Sequence, residues 1–149
     1  MQLTLLAALT VAAAVTLDSY APALAPAPNQ QGTDLATRIA GTWQGRRTTP
    51  ISLKPDSFTM HWQKAPDGHM TGTIARPGEA KYPVNVVWSS DTAFIYESAP
   101  HISALFHEQV VTRATVHFDG SQLNGKFEAR PTKSEGKTTT GTFTATRSA

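Results

Sequence analysis

From residue 41 onward, apolar and polar side chains alternate one by one, the period at which a β-strand turns successive side chains to opposite faces. Residues 57–64 place Phe58, Met60 and Trp62 on one face and Thr59, His61 and Gln63 on the other. A Pro66-Asp67-Gly68 turn comes next, and residues 69–75 resume the alternation with Met70, Gly72 and Ile74. Two such runs joined by a turn of that composition predict a hairpin. The pattern recurs at 82–88 (Val84, Val86, Trp88), 92–98 (Phe94, Tyr96), 110–118 (Ala114, Val116, Phe118), 122–130 (Leu123, Phe127, Ala129) and 137–147 (Phe143, Ala145). With residues 41–49 as the first, eight strands are expected. No stretch keeps a 3.6-residue period over about ten positions, as a helix requires. Only residues 35–40 and 101–107 offer a helical turn or two.

An internal echo supports a curved sheet. Thr59-Met60-His61-Trp62 followed by Asp67-Gly68 and, later, Ala75-Arg76-Pro77 matches Thr115-Val116-His117-Phe118 followed by Asp119-Gly120 and Ala129-Arg130-Pro131. Gly72, Gly125 and Gly141 all fall on inward positions, where glycine marks strong bending or close backbone approach. Several bent strands in one small sheet predict an all-β, antiparallel, up-and-down barrel. Its interior would be lined by Trp43, Trp62, Val86, Trp88, Phe94, Tyr96 and Phe127 among others; either the inward glycines leave room between them or the large residues simply fill the barrel.

Composition removes several function classes. The chain of 149 residues has no cysteine, so disulfides, thiolate metal sites and thiol nucleophiles are excluded. A formal net charge of +2 with scattered Lys and Arg argues against nucleic acid as a partner. Residues 3–17 form an apolar run of about 15 residues, short of the roughly 20 that span a bilayer as a helix. Its length suits an export signal, with cleavage expected after Ala23. Stable membrane insertion after cleavage is therefore not expected. Residues 24–33, rich in Pro, Ala and polar residues, read as an extended tether. Residues 34–149 are the barrel domain, and the protein is expected in the periplasm or secreted.

The Gly41-Thr42-Trp43 triplet, following a short lead-in at 34–40, resembles the opening of lipocalin-type barrels. In that family an arginine from the end of the last strand lies across the tryptophan of the first. Arg147 stands where that residue is needed. The resemblance implies barrel closure by Trp43 and Arg147, a cation–π contact of roughly 0.5–2 kcal/mol. It also implies a fold that can enclose one small ligand. The asparagine and serine that avidin-like barrels use for biotin are absent, since Gln44-Gly45-Arg46 follows Trp43.

The residues give little support for chemistry. His61 and His117 fall on outward positions of non-neighbouring strands, so a shared metal is not expected. His101 and His107 flank an apolar connection with only Glu108 nearby. Asp67, Asp91 and Asp119 sit in or beside turn signals, where a carboxylate ordinarily bonds backbone N–H groups. No Gly-x-Ser-x-Gly turn and no ordered serine, acid and histidine set occurs. No enzyme activity, metal or cofactor is therefore expected.

Binding is the better expectation, and its partner would be a small apolar or amphipathic molecule. Arg47 shares parity with Trp43 and Gly45, so it either points inward, where it could meet a ligand carboxylate, or reaches solvent where the strand frays before Pro50. Trp62, Trp88, Tyr96, Phe106 and Phe127 complete the candidate ligand set. Two alternatives remain: a protein-interaction or inhibitor module acting through rim loops, and an enzyme built on the same barrel. The ligand reading requires a cavity of roughly 300 Å³ or more, and a solid interior favours the rim.

Overall fold

The computed structural model describes residues 31–52, 54–133 and 138–149, with side chains from residue 35 onward. The expected export signal (1–23) and most of the expected tether (24–30) lie outside the described residues.

Among the described residues, helix α1 spans Gln31–Ile39 and precedes nine strands. It therefore begins in the last three residues of the expected tether. Leu35, Ala36 and Ile39 recur on one helical face, and all are at most 1% exposed. That face closes one end of the barrel. The strands are β1 (Gly41–Thr48), β2 (Asp56–Lys64), β3 (Met70–Ala75), β4 (Tyr82–Ser89), β5 (Ala93–Ser98), β6 (His101–Ser103), β7 (Glu108–Phe118), β8 (Gln122–Pro131) and β9 (Thr139–Arg147).

Every pairing is antiparallel. Chain neighbours pair from β1 to β5 and from β7 to β9, while β1 pairs β9 and β5 pairs β7. These contacts close an eight-stranded up-and-down barrel, as the alternation predicts. The short β6 stands outside the ring, paired to the start of β7. Residues 101–107 thus form a strand and one tight turn, where sequence alone offers a helical turn.

The interior follows the alternation. Trp43, Met60, Trp62, Val84, Phe94, Val116 and Leu123 are at most 2% exposed. Aromatic rings meet edge to face, as with Trp62 and Phe94 at 5.0 Å and Phe58 and Phe143 at 5.4 Å. Of the two readings of the inward glycines, the filled interior is the one found. The rings lie on them: Phe143 covers Gly125, Phe127 covers Gly141, Trp62 covers Gly72 and Phe58 covers Gly45. Glycine here allows an aromatic ring to press against a strand backbone, so the space is filled.

One inward expectation fails. The register of β4 against β5 shifts between Val86 and Trp88, so Val87 is an extra residue. A bulge of this kind reverses the facing of the residues after it. Trp88 is 51% exposed on the outer wall and does not belong to the interior. Val86 remains partly buried against the core.

Candidate functional site

Strand directions assign each functional residue to an end. The closed end carries α1, the start of β1 and the end of β9. Trp43 Nε1 donates to the Ile39 carbonyl at 2.8 Å, fixing the helix on the first strand. The Arg147 guanidinium lies 4.6 Å from the centre of the Trp43 ring and bonds the carbonyls of Arg38 and Ala40. This contact ties the last strand to the first and to α1, although Arg147 itself stays largely exposed.

The other end is a mouth ringed by four connections. Arg47, near the end of β1, turns its side chain toward the interior. Its side chain is 14% exposed and holds the Asp56 carboxylate through Nε and Nη2 at 2.7–2.8 Å. Phe127 lies beneath it, 5.8 Å from guanidinium carbon to ring centre. Beneath this pair lies a cavity of only about 20 Å³, bordered by Arg47, Arg76, Tyr82, Tyr96, Thr112 and Phe127. That volume suits about one water molecule. Burial pushes the Tyr96 hydroxyl above its ordinary titration range, so it remains a neutral group in the cavity wall.

Beside the cavity is a polar cluster that alternation alone does not single out. Arg76 Nη2 meets the Glu79 carboxylate at 2.6 Å, the Tyr82 hydroxyl at 3.0 Å and His101 Nε2 at 3.3 Å. The Tyr82 and His101 rings stack at 3.6 Å and 7°. His101 Nδ1 approaches the Ala99 carbonyl at 3.1 Å. Side chains of Arg76 and Glu79 are 5% and 2% exposed. The sequence does hold a usable signal: Arg76 and Tyr82 continue the inward parity of Ile74 and Val84 around the turn at Gly78.

Of the expected ligand residues, Arg47, Tyr96 and Phe127 converge on the small cavity. Trp62 lies deeper, packed on Phe94 and Tyr96. Trp88 is on the outer wall toward the opposite end. Phe106 is half-buried in the rim turn after β6. His101 is buried and His107 exposed, so the two do not share a cleft. His61 and His117 are exposed, and His61 meets the Thr42 hydroxyl at 3.1 Å. Asp67 and Asp119 accept turn N–H groups, which hold both carboxyls below their ordinary range. No group of three or more potential metal ligands occurs among the described residues.

The rim is apolar in two places. Ile51, between β1 and β2, is 57% exposed; Ile102 and Leu105, between β5 and β7, are 62% and 37% exposed. In ring order these connections lie across the mouth from each other. The second is held by several hydrogen bonds. Ser103 Oγ accepts the N–H groups of Leu105 and Phe106, the His107 N–H returns to the Ser103 carbonyl at 2.8 Å, and His107 takes a φ of 55°. Glu79 Oε1 accepts the Ala104 N–H at 3.0 Å, tying this turn to the buried cluster. Elsewhere, two open depressions of about 810 and 710 Å³ lie on the outer wall over Gly141 and Gly45, the first lined largely by threonines and charged residues and the second by a mixture of polar, charged and small residues.

No protein-family model and no curated protein matches the chain. Among solved structures, a redesigned β-barrel aligns with a TM-score of 0.52 and 15% identity, over 78% of this chain and 96% of that one. A Bacteroides fragilis protein described as a candidate outer membrane protein aligns with a TM-score of 0.43 and 10% identity, over 78% of this chain and 53% of that one. The first likeness concerns the barrel fold alone.

Proposed function

We propose that this protein is an exported, non-enzymatic, lipocalin-like barrel that recognises a protein partner through the rim of its mouth. The observation that carries the reading is a contrast at that end. Ile51, Ile102 and Leu105 face solvent on opposite sides of the mouth, while the cavity below holds about 20 Å³. A pocket for a drug-sized molecule needs roughly 300 Å³ or more. Apolar side chains held outward on an ordered turn are the usual makings of an interface core.

Other features support the remaining parts. The converging titratable groups of the Arg76, Glu79, Tyr82 and His101 cluster are buried, which leaves a substrate little access to them. The outer wall carries Arg113, Lys126, Glu128 and a row of threonines on β9. A membrane-spanning barrel presents an apolar band to lipid, so this wall supports a water-facing molecule. Export rests on the apolar run at 3–17, and the lipocalin-like assignment on the stack of Arg147 over Trp43.

The small amphipathic ligand remains as a second reading because of Asp56. Its carboxylate is 43% exposed and occupies the Arg47 fork from the solvent side. A ligand carboxylate could replace it, provided the mouth opens. Native mass spectrometry of protein from its own host separates the two. The rim reading expects the mass of the polypeptide alone, and a retained molecule of a few hundred daltons would favour the second. An Ile102→Asp, Leu105→Asp double variant that folds normally is expected to lose its protein partner.

A further inference from the structure

We propose that His101 is the trigger of an acid-sensitive clasp that fastens the rim turn to the barrel mouth. The inference rests on the rim reading for its consequence, which is that acid would disorganise the recognition surface.

The clasp follows from donor and acceptor bookkeeping. A guanidinium nitrogen can only donate, so His101 Nε2, 3.3 Å from Arg76 Nη2, must accept and carry no proton. The ring proton then resides on Nδ1, directed to the Ala99 carbonyl at 3.1 Å. His101 is therefore neutral in the closed arrangement. Protonating Nε2 would remove the acceptor and set a second cation against Arg76, in a site where His101 is 7% exposed.

The surroundings of His101 decide the sign. Arg76 and Glu79 face it from the end of β3 and the following turn, and Tyr82 stacks on it from β4. Ser98 approaches from β5 at 3.4 Å, and β7 contributes Val110 and the backbone of Thr112, neither titratable. Arg47 on β1 adds a more distant positive charge. Glu79 is the anion that acts on the ring, and it is already engaged by Arg76 Nη2 and the Ala104 N–H. Burial is the largest influence, and it holds the imidazole below its ordinary value of 6.5 despite the Ala99 bond and Glu79.

A base whose folded value is depressed binds protons more readily in the open state. The closed clasp is thus fully favoured above the ordinary histidine value and weakens as pH falls below it toward the folded value. The loosening is local, because Glu79 and His101 together connect the β3–β4 turn, β6 and the turn carrying Leu105. The closed end, held by Trp43, Arg147 and α1, contains no part of this cluster.

Amide hydrogen exchange on the intact chain at about pH 7.5 and about pH 5, corrected for intrinsic rates, reads the clasp directly. The Ala104 and His107 amides should lose protection by about tenfold per pH unit between the two titration values. The Ala40 amide, bonded to the Ala36 carbonyl at the closed end, should not change. In His101→Gln the acid response should disappear. Should that variant fail to fold, NMR titration of the His101 ring in the unaltered chain decides instead. The proposal expects the Nδ1–H form and a midpoint below the ordinary value, at the pH where the loss of protection levels off. An acid response retained in His101→Gln, unchanged protection in the unaltered chain, or a midpoint at or above the ordinary value would overturn it. Because no partner is needed, this failure is distinct from failure of the rim reading, which the Ile102 and Leu105 variants test near pH 7.5 alone.

Discussion

Arg147 and Trp43 join the two ends of the barrel domain: the guanidinium carbon sits 4.6 Å from the indole centre while its nitrogens bond the carbonyls that end α1. One side chain thereby holds the last strand, the first strand and the helical plug together.

Arg147→Ala should lower stability by about 1–2 kcal/mol, the sum expected for a partly exposed cation–π contact and its hydrogen bonds. Urea denaturation followed by tryptophan fluorescence measures it. Arg147→Lys should recover only part of the loss, because an ammonium cannot stack and fork at once.

The aromatic rings lying on glycines predict a second effect. An added Cβ at Gly72 would stand 2.6 Å from the Trp62 ring and 2.7 Å from the His61 carbonyl. Gly72→Ala should therefore cost roughly 1–3 kcal/mol through overpacking, seen as a lower urea midpoint. A cost near zero would mean that the interior has slack that these contacts do not show.

Strand existence, strand parity and barrel closure are legible in the sequence because a half-buried strand writes its facing into every second residue. Phe58, Met60 and Trp62 need nothing more than counting. Trp88 is not legible, because one extra residue at Val87 reverses parity without any local signal such as glycine. Interior volume is also hidden: Gly125 and Phe143 are 18 residues apart in sequence, and only the β8–β9 register brings the ring onto the glycine. The polar cluster at Arg76, Glu79, Tyr82 and His101 is half legible, since parity marks Arg76 and Tyr82 as inward. Glu79 and His101 join it through a turn and a strand added outside the ring.

The bulge makes a direct comparison possible. Trp88→Ser should change stability by no more than about 0.5 kcal/mol, as for an exposed site. Trp62→Ala should cost about 3–5 kcal/mol. Comparable losses for both would place Trp88 back in the interior.

Glu79→Gln should destabilise the protein by roughly 3–5 kcal/mol, because it leaves Arg76 charged and buried without its counterion. Replacing both, with Arg76→Met and Glu79→Leu, should recover much of that loss in thermal denaturation while releasing the Ala104 amide. A Glu79→Gln variant as stable as the parent would show that the pair does not hold the mouth.

Photocrosslinking from position 102, compared with position 144 on the threonine-bearing wall of β9, tests recognition at the rim most directly. With a benzophenone side chain at either site in the native host, a defined polypeptide adduct should form from 102 alone and disappear when Leu105→Asp is added. Equal adducts from both positions, or an adduct from 102 indifferent to Leu105→Asp, would contradict recognition at the mouth.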